Sequence, residues 1–407
     1  MASVEKRARA GRYVWRAHYR DPNGKHRSKS FARKVDAEQF LTTVESSKLT
    51  GAYIDPTLSR LNMGEWTTRW LAGQAHLKPS TRERYAGIVR AHIEPMWRDV
   101  RLADVSHADI QAWVADLTAV RSPATVRKIH RVLSMILMLA VKDGRIARNP
   151  ADGINLPRAV RGEHLYLTHE QVERLATAVA DPYSEGARAR HADRAAAKSY
   201  RLVVLFLAYT GVRWGEMAAL RVGRINFLRR RASIVESVTL VRGVPTWGTP
   251  KGHDRRDVPL PRFLLDELAT HVAGKGPGEL VFTGVRGGVL RSKVFQEAAL
   301  TAAAELIGVP GLSPHKLRHT AASLAIASGA NVKVVQQMLG HRSATMTLDL
   351  YGHLFADQLD EVADALDVAR AASAQTAVAQ PLPKPEKGAP QRLRDEGAPP
   401  LTCGDGV

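Results

Sequence analysis

The sequence predicts a multidomain α+β protein: a small three-stranded sheet plus a helix, then a helical bundle, then a mixed, mainly helical domain with a small antiparallel sheet. Three observations predict it. At 407 residues the chain exceeds the usual size of one compact unit. Its apolar period changes along the chain, from two near the N-terminus to 3.6, and then to a mixture of both. A Pro-, Gly- and Arg-rich stretch over 149–164, NPADGINLPRAVRGEH, separates the last two parts.

The first module is expected over 1–57. Residues 1–34 carry eleven Lys or Arg against two acids, Glu5 and Asp21. RYVWRAHYRD and KHRSKSF alternate basic or polar with aromatic residues about the turn signal Asp21-Pro22-Asn23-Gly24, which reads as a β-hairpin or small sheet. VDAEQFLTTVESSKL then sets Ala37, Phe40, Leu41 and Val44 on one side of a helix. A solvated basic arm is the alternative. The interleaved Tyr13, Trp15, Tyr19 and Phe31 favour a folded module instead.

A bundle is expected over 58–158. MGEWTTRWLAGQ, STRERYAGIVRAHIEPMW, SHADIQAWVADLT and SPATVRKIHRVLSMILMLAVKDG each carry an apolar face of helical period. Ser106 with Asp109 resembles a capping box, and Ser122-Pro123 pairs an N-cap with proline at the first helical position. Asp143-Gly144 ends the fourth helix. Arg82, Arg84, Arg90, Arg127 and Arg131 fall on helix faces that serve either solvation or phosphate contact.

The third domain is expected over 165–370. It opens on Thr168-His169-Glu170-Gln171, another capping box, ahead of VERLATAV. Strands are expected in RASIVESVTLV and RRDVPLP, with a turn region between them, before helices resume. Residues 373–407, Pro- and charge-rich, are expected to be a disordered tail.

Composition narrows the function. Lys and Arg number 59 against 40 Asp and Glu, a formal charge of +19 with a pI near 10.3. Such an imbalance answers a polyanion, either nucleic acid or an anionic membrane surface. The longest apolar runs, Leu202 to Tyr209 and Val132 to Val141, fall far short of the ~20 residues of a spanning helix. The N-terminus has no apolar stretch of the kind a secretory signal needs. The single cysteine, Cys403, excludes a disulfide within the chain and a Cys-based zinc site. A nucleic-acid partner in the cytoplasm, with no membrane role, is the expected class.

The chemistry-bearing residues fall in four places. Ser313-Pro314-His315-Lys316-Leu317-Arg318-His319-Thr320 reads as a helix start, with His315 and Arg318 three apart on one face. Leu339-Gly340-His341 ends the helix NVKVVQQML, and Tyr351 follows in LDLYGHL. Tyr209-Thr210-Gly211-Val212-Arg213-Trp214-Gly215-Glu216 joins two helices, and Glu216 lies where it can hold the Arg213 guanidinium in a bidentate pair. Pro250-Lys251-Gly252-His253 forms a turn between the two expected strands. Each feature alone has an ordinary reading: a surface ion pair, a solvated helix, a packed tyrosine, a solubilising lysine.

Together, in this order, the motifs resemble those of the tyrosine recombinases, the phage-integrase family, across about 165 to 360. The resemblance implies that TGxRxxE supplies the first catalytic arginine, Arg213, with Glu216 as support. It assigns Lys251 to the hairpin lysine, His315 and Arg318 to the HxLRH motif, His341 to LGH, and Tyr351 to the nucleophile. Two features depart from the family pattern. Arg221-Val222-Gly223-Arg224 replaces a stretch that often carries Trp and Asp, and the gap from His341 to Tyr351 is at the long end.

The residue types suit such chemistry. A phenol, with an ordinary pKa of about 10, attacks with help and later leaves again, so a phosphotyrosine conserves the energy of the DNA bond. Two guanidiniums clamp both non-bridging oxygens with planar forks that lysine cannot reproduce. By resemblance, His315 assists proton transfer at the tyrosine, His341 bonds the scissile phosphate, and Lys251 protonates the 5′-hydroxyl, leaving a 3′-phosphotyrosyl link. No cofactor, metal or ATP is expected, and no GxxxxGK[ST] loop occurs.

The resemblance extends to the layout. Residues 1–57 resemble an arm-type DNA-binding domain, 58–158 a core-binding domain and 165–370 the catalytic domain. Arg12, Arg16, Arg20, Lys25, Arg27 and Lys29 are the candidate arm contacts. The partners implied are double-stranded DNA at core and arm attachment sites, a homotetramer on DNA, a DNA-bending protein and an excisionase-type directionality factor. That describes the integrase of a phage or integrative element, acting at the nucleoid of a bacterial host. A type IB topoisomerase shares the chemistry, and the arm module and bundle favour strand exchange over relaxation. Leu354, Phe355, Leu359, Val362 and Leu366 predict a further helix that packs either in cis or on a neighbouring protomer.

Overall fold

The computed structural model describes residues 2–9, 12–21, 24–49, 61–158, 165–180, 194–250, 252, 255–355 and 359–378. Met1–Thr347 form one compact unit and Leu348–Val407 a second.

The N-terminal part is an antiparallel sheet of β1 (Ser3–Arg9), β2 (Arg12–Arg20) and β3 (His26–Phe31), followed by α1 (Lys34–Leu49). Period-two alternation makes the sheet two-faced. Ala17 and Tyr19 on β2 are buried with Ala37, Leu41 and Val44 of α1, and Trp15, Phe31 and Phe40 pack at the margin of this small core. The turn between β2 and β3 is held by Asp21, whose Oδ1 accepts from the amide of Lys25 at 2.9 Å.

The bundle comprises α2 (Met63–Ala72), α3 (Pro79–Ile88), α4 (Glu94–Trp97), α5 (His107–Val120) and α6 (Pro123–Lys142). Between α3 and α4 the helix widens into a single π turn, Val89–Ile93. Such a turn adds one residue and shifts the phase of the following helix. Ile93, its last residue, and Trp97, four residues on and so on one helix face, are both buried in the core, where the Trp97 ring meets Trp113 edge-on at 5.8 Å. The expected starts hold: the Ser106 side chain accepts from the amide of Asp109 at 3.1 Å, and Pro123 opens α6. The first ten residues of the expected linker belong to the bundle, because Ala151 and Ile154 are buried in its core. The rest of that linker, 159–164, lies outside the described residues.

The third part surrounds the largest core. It runs through α7 (His169–Ala180), α8 (Arg194–Thr210) and α9 (Trp214–Met217), then β4 (Ile225–Asn226), β5 (Arg231–Ile234), β6 (Ser237–Val241), β7 (Val244–Gly248) and β8 (Arg256–Pro259). Next come α10 (Arg262–Val272), α11 (Ser292–Phe295), α12 (Thr301–Leu306), α13 (Pro314–Ala327), α14 (Val332–Leu339) and α15 (Ala344–Tyr351). Apolar α8 lies at the centre, packed against α7, α10 and α13. Strands β4, β5 and β8 form one antiparallel sheet, while β6 and β7 form a separate hairpin turning at Arg242-Gly243. Both turn residues have positive φ, 51° and 82°, as the tightest hairpins require. The expected turn region therefore contains a strand, Val244–Gly248. Its hairpin reaches the bundle: Arg242 Nε lies 2.8 Å from Glu83 on α3, and Lys78 Nζ donates to the Thr249 carbonyl at 3.3 Å.

In the second unit, a short turn Gly352–Leu354 precedes α16 (Leu359–Val378). The helix passes residue 373, where the disordered tail was expected to begin. The Ala- and Gln-containing segment up to Val378 has good helix formers, and the prolines that cannot continue a helix start only at Pro381. The remainder, 379–407, lies outside the described residues.

Gly211 ends α8 at φ 64°. A Cβ there would lie 2.7 Å from Leu339 Cδ2 and 3.2 Å from Ala321 Cβ. Only glycine therefore lets α8 end this close to α13 and α14. Gly211→Ala should destabilise the protein by about 1–3 kcal/mol, through overpacking and backbone strain together. A lowered urea midpoint would register it; an unchanged midpoint would contradict the packing argument.

Candidate active site

The C-terminus of α14 organises the site. The last carbonyls of a helix have no partner within it and carry the negative end of its dipole, so cations settle there. Three consecutive carbonyls each take one arginine. Met338 O accepts from Arg256 Nε at 3.0 Å, Leu339 O from Arg318 Nη2 at 2.6 Å, and Gly340 O from Arg213 Nη2 at 3.4 Å. Gly340 is the left-handed C-cap that turns the chain, at φ 64°. The same turn delivers His341, whose backbone is clamped by Gln336: its amide donates to Gln336 O and its carbonyl accepts from Gln336 Nε2, each at 3.1 Å.

Arg318, on the first turns of α13, is buried, and its Nη1 also donates to the Gly211 carbonyl at 2.6 Å. It thus bridges the C-termini of α8 and α14. Arg213 is the N-cap of α9. Glu216, three residues on, accepts from the Arg213 amide at 2.9 Å and from Arg213 Nη1 at 2.9 Å. The expected bidentate pair on Arg213 is instead made by another residue. Arg256 spans both oxygens of the fully buried Glu216 carboxylate, at 3.2 and 2.6 Å.

Electrostatics follow from this arrangement. Burial opposes ionisation of Glu216 most strongly. The bonds and charges of Arg256, with those of Arg213, outweigh it and hold the carboxyl below its ordinary 4.5. His341 is pushed down to about 4, first by burial and then by the positive charges of Arg318, Arg213 and Arg256, with His319 beside them. It is therefore neutral at physiological pH, and its Nδ1 shares a hydrogen bond of 3.0 Å with the hydroxyl of buried Thr347.

The structure thus gathers Arg213, Glu216, Arg318 and His341. His315 lies one turn before Arg318 on α13, exposed, with its ring edge-on to His319 at 5.1 Å. Lys251 lies outside the described residues, and Tyr351 closes α15 within the second unit. Sequence reasoning missed Arg256. Its signal was alternation: Arg256, Val258 and Leu260 are two apart, and Arg256 pairs with buried Ile234, so all three face inward.

The candidate arm residues divide between the two faces of the first sheet. In register, Arg12 lies opposite Arg9, while Arg16 and Arg20 take positions opposite Glu5 and His26, away from α1. Arg27 and Lys29 pair with Tyr19 and Ala17 on the α1 side. There Arg27 holds Asp21 at 3.1 Å and Lys29 lies 4.9 Å from the Phe40 ring centre. Lys25 is exposed in the turn.

Acid should expose the cost of keeping His341 neutral. The folded protein leaves this ring unprotonated down to about 4, whereas the unfolded chain protonates it near 6.5. Its contribution to stability is complete above about pH 6.5 and is lost as pH falls towards 4. Glu216 contributes stability that is present above the ordinary carboxyl value of 4.5 and is lost as pH falls from there through its depressed value. His341→Gln should flatten the fall in urea midpoint between pH 6.5 and 4; an identical slope in the variant would refute the assignment.

The sequence profile of the phage integrase family matches residues 166–358, and that of the phage integrase N-terminal SAM-like domain matches 62–118. The putative prophage phiRv2 integrase of Mycobacterium tuberculosis is 27% identical over 350 residues, covering 82% of this chain and 87% of its own. Among solved structures, the Tn1549 transposon integrase in complex with transposon right end DNA superposes with a TM-score of 0.60 at 18% identity, over 78% of this chain and all of that one. A lambda integrase tetramer bound to a Holliday junction gives 0.55 at 18% identity, over 82% and 91%. The two profiles fall on the bundle and on the domain that holds the arginine cluster, and the structural likenesses carry the same fold through both. The chain belongs to the phage integrase family of tyrosine recombinases, enzymes that break and rejoin DNA at specific sites.

Proposed function

We propose that this chain is the integrase of a phage or other integrative element, joining and excising double-stranded DNA through a 3′-phosphotyrosyl intermediate. The observation that carries this reading is the pair Arg213 and Arg318, fixed by neighbouring carbonyls of one helix end, with both charges acting on neutral His341. Guanidiniums anchored from behind are preorganised for an oxyanion and need not reorganise when charge develops on a phosphorane. In the proposed step the Tyr351 phenol oxygen bonds to phosphorus as the bond to the 5′-oxygen breaks. The phenol proton leaves with assistance from His315, and Lys251 protonates the departing 5′-oxygen. His341 donates to the phosphate as a neutral ring.

The sheet of the N-terminal part supports an arm-type contact through its face away from α1, where Arg7 and Arg16 share one side with Arg20. In this reading the bundle and catalytic domain grip the core site, and four protomers assemble on it, as the lambda tetramer does on its junction. A DNA-bending protein and a directionality factor complete the assembly.

A nicked suicide duplex carrying the core site, identified from DNA flanking the gene, should trap a covalent adduct with the wild type. Tyr351→Phe should abolish the adduct and retain binding; no wild-type adduct would defeat the reading. Deleting residues 1–56 should weaken recombination between full-length attachment sites while sparing cleavage of a bare core site. Equal loss of both activities would remove the arm assignment.

A further inference from the structure

We propose that Arg256 is a positioning residue of this site, a buried guanidinium that locks Glu216 and the Gly340–His341 turn to the start of β8. The inference rests on the recombinase reading of the site. Arg256 touches no position assigned to the scissile phosphate. It acts through the residues that do.

Three bonds spread from this one side chain to two separate segments. Two reach both carboxylate oxygens of Glu216 on α9, and the third, from Nε, reaches the Met338 carbonyl at the end of α14. The turn after α14 also rests on it directly. A Cβ built on Gly340 would lie 3.0 Å from Arg256 Cδ and 3.1 Å from both its Cζ and Nε. Glu216 aligns Arg213, and the α14 end holds Arg213 and Arg318, so a displaced Arg256 disturbs both guanidiniums at once.

The side chain is well placed for this and poorly suited to anything else. It enters on the core face of the sheet, opposite Ile234, with 9% of its surface exposed. A cation so buried requires a compensating carboxylate, and Glu216 supplies it. Lysine would keep the charge and lose the fork, since one nitrogen cannot span two carboxylate oxygens and a carbonyl 3.0 Å from Nε. Arg256 is also the first residue of β8 and follows Lys251 by five positions, the nearest paired strand residue on its C-terminal side among the described residues.

Two measurements test the role. On the nicked core duplex, Arg256→Lys and Arg256→Gln should each slow single-turnover cleavage about 10- to 100-fold at saturating DNA, the range usual for residues that orient a site through its primary groups. Duplex affinity should stay within about threefold of wild type. Wild-type cleavage rates in both variants would overturn the proposal. In the DNA-free protein, imidazole NMR should show His341 protonating at higher pH in Arg256→Gln, since one of the cations facing that ring is gone; Arg213, Arg318 and His319 remain around it, with Thr347 at Nδ1. Arg256→Lys, folded and still charged, should shift it less. If the wild type traps no adduct, the recombinase reading fails and the cleavage claim with it; the hold of Arg256 on the Gly340–His341 turn is then decided by the charge-conserving variant, a His341 shift in Arg256→Lys upholding it and an unmoved His341 in both variants overturning it.

Discussion

One buried carboxylate holds the catalytic part of this protein together. Glu216 is fully enclosed, and it survives as an anion because two arginines approach it, Arg213 along its own chain and Arg256 from a strand. Desolvating any of the three alone would be prohibitive. Together they offset one another, and removing one partner from such a group commonly costs about 3–5 kcal/mol because the others stay buried. The arrangement also leaves the cluster with more positive than negative charge. Part of that excess faces the carbonyls at the negative end of the α14 dipole.

The second constraint is the backbone of a helix end. Unpaired carbonyls at the close of α14 are an obligation the fold must meet. Here they are met by side chains from three different segments: a helix junction, a strand start and another helix. Guanidiniums held in this way have little freedom left. The entropy of ordering them is lost during folding rather than when a phosphate binds, which is the physical meaning of preorganisation. Neutral His341 follows first from its burial at this helix end, and then from the same arginines, among which a further charge is unfavourable.

Much of this was legible in the sequence, and what was not had a physical reason. Arg213, His315, Arg318 and His341 sit in short local patterns with their own caps and turns, each with an ordinary reading by itself; the resemblance of the patterns, taken in order, to the tyrosine recombinases singled them out. The bundle was legible through its period and the N-cap at Ser106. Arg256 was not, because its meaning lies in contacts with Met338 and Glu216, 82 and 40 residues away. The π turn at Val89–Ile93 was also hidden: one extra residue in a helix leaves the apolar pattern readable as helical on either side. Strand β7 escaped because Val244–Gly248 has exposed residues on both faces and lacks the alternation that marks a strand.

The hairpin's hold on the bundle is of two kinds, one ionic and one of strand against helix. Arg242 and Glu83 are joined by a single ion pair whose arginine is 71% exposed, supported by one lysine–carbonyl bond. Exposed pairs of this kind contribute about 0.2–1 kcal/mol, close to thermal energy, and weaken further as salt screens them. Besides these polar contacts strand β6 lies against α3, so the hairpin is seated on the helix and not held by the ion pair alone. Salt therefore weakens the ionic part of this hold and leaves the strand–helix contact in place.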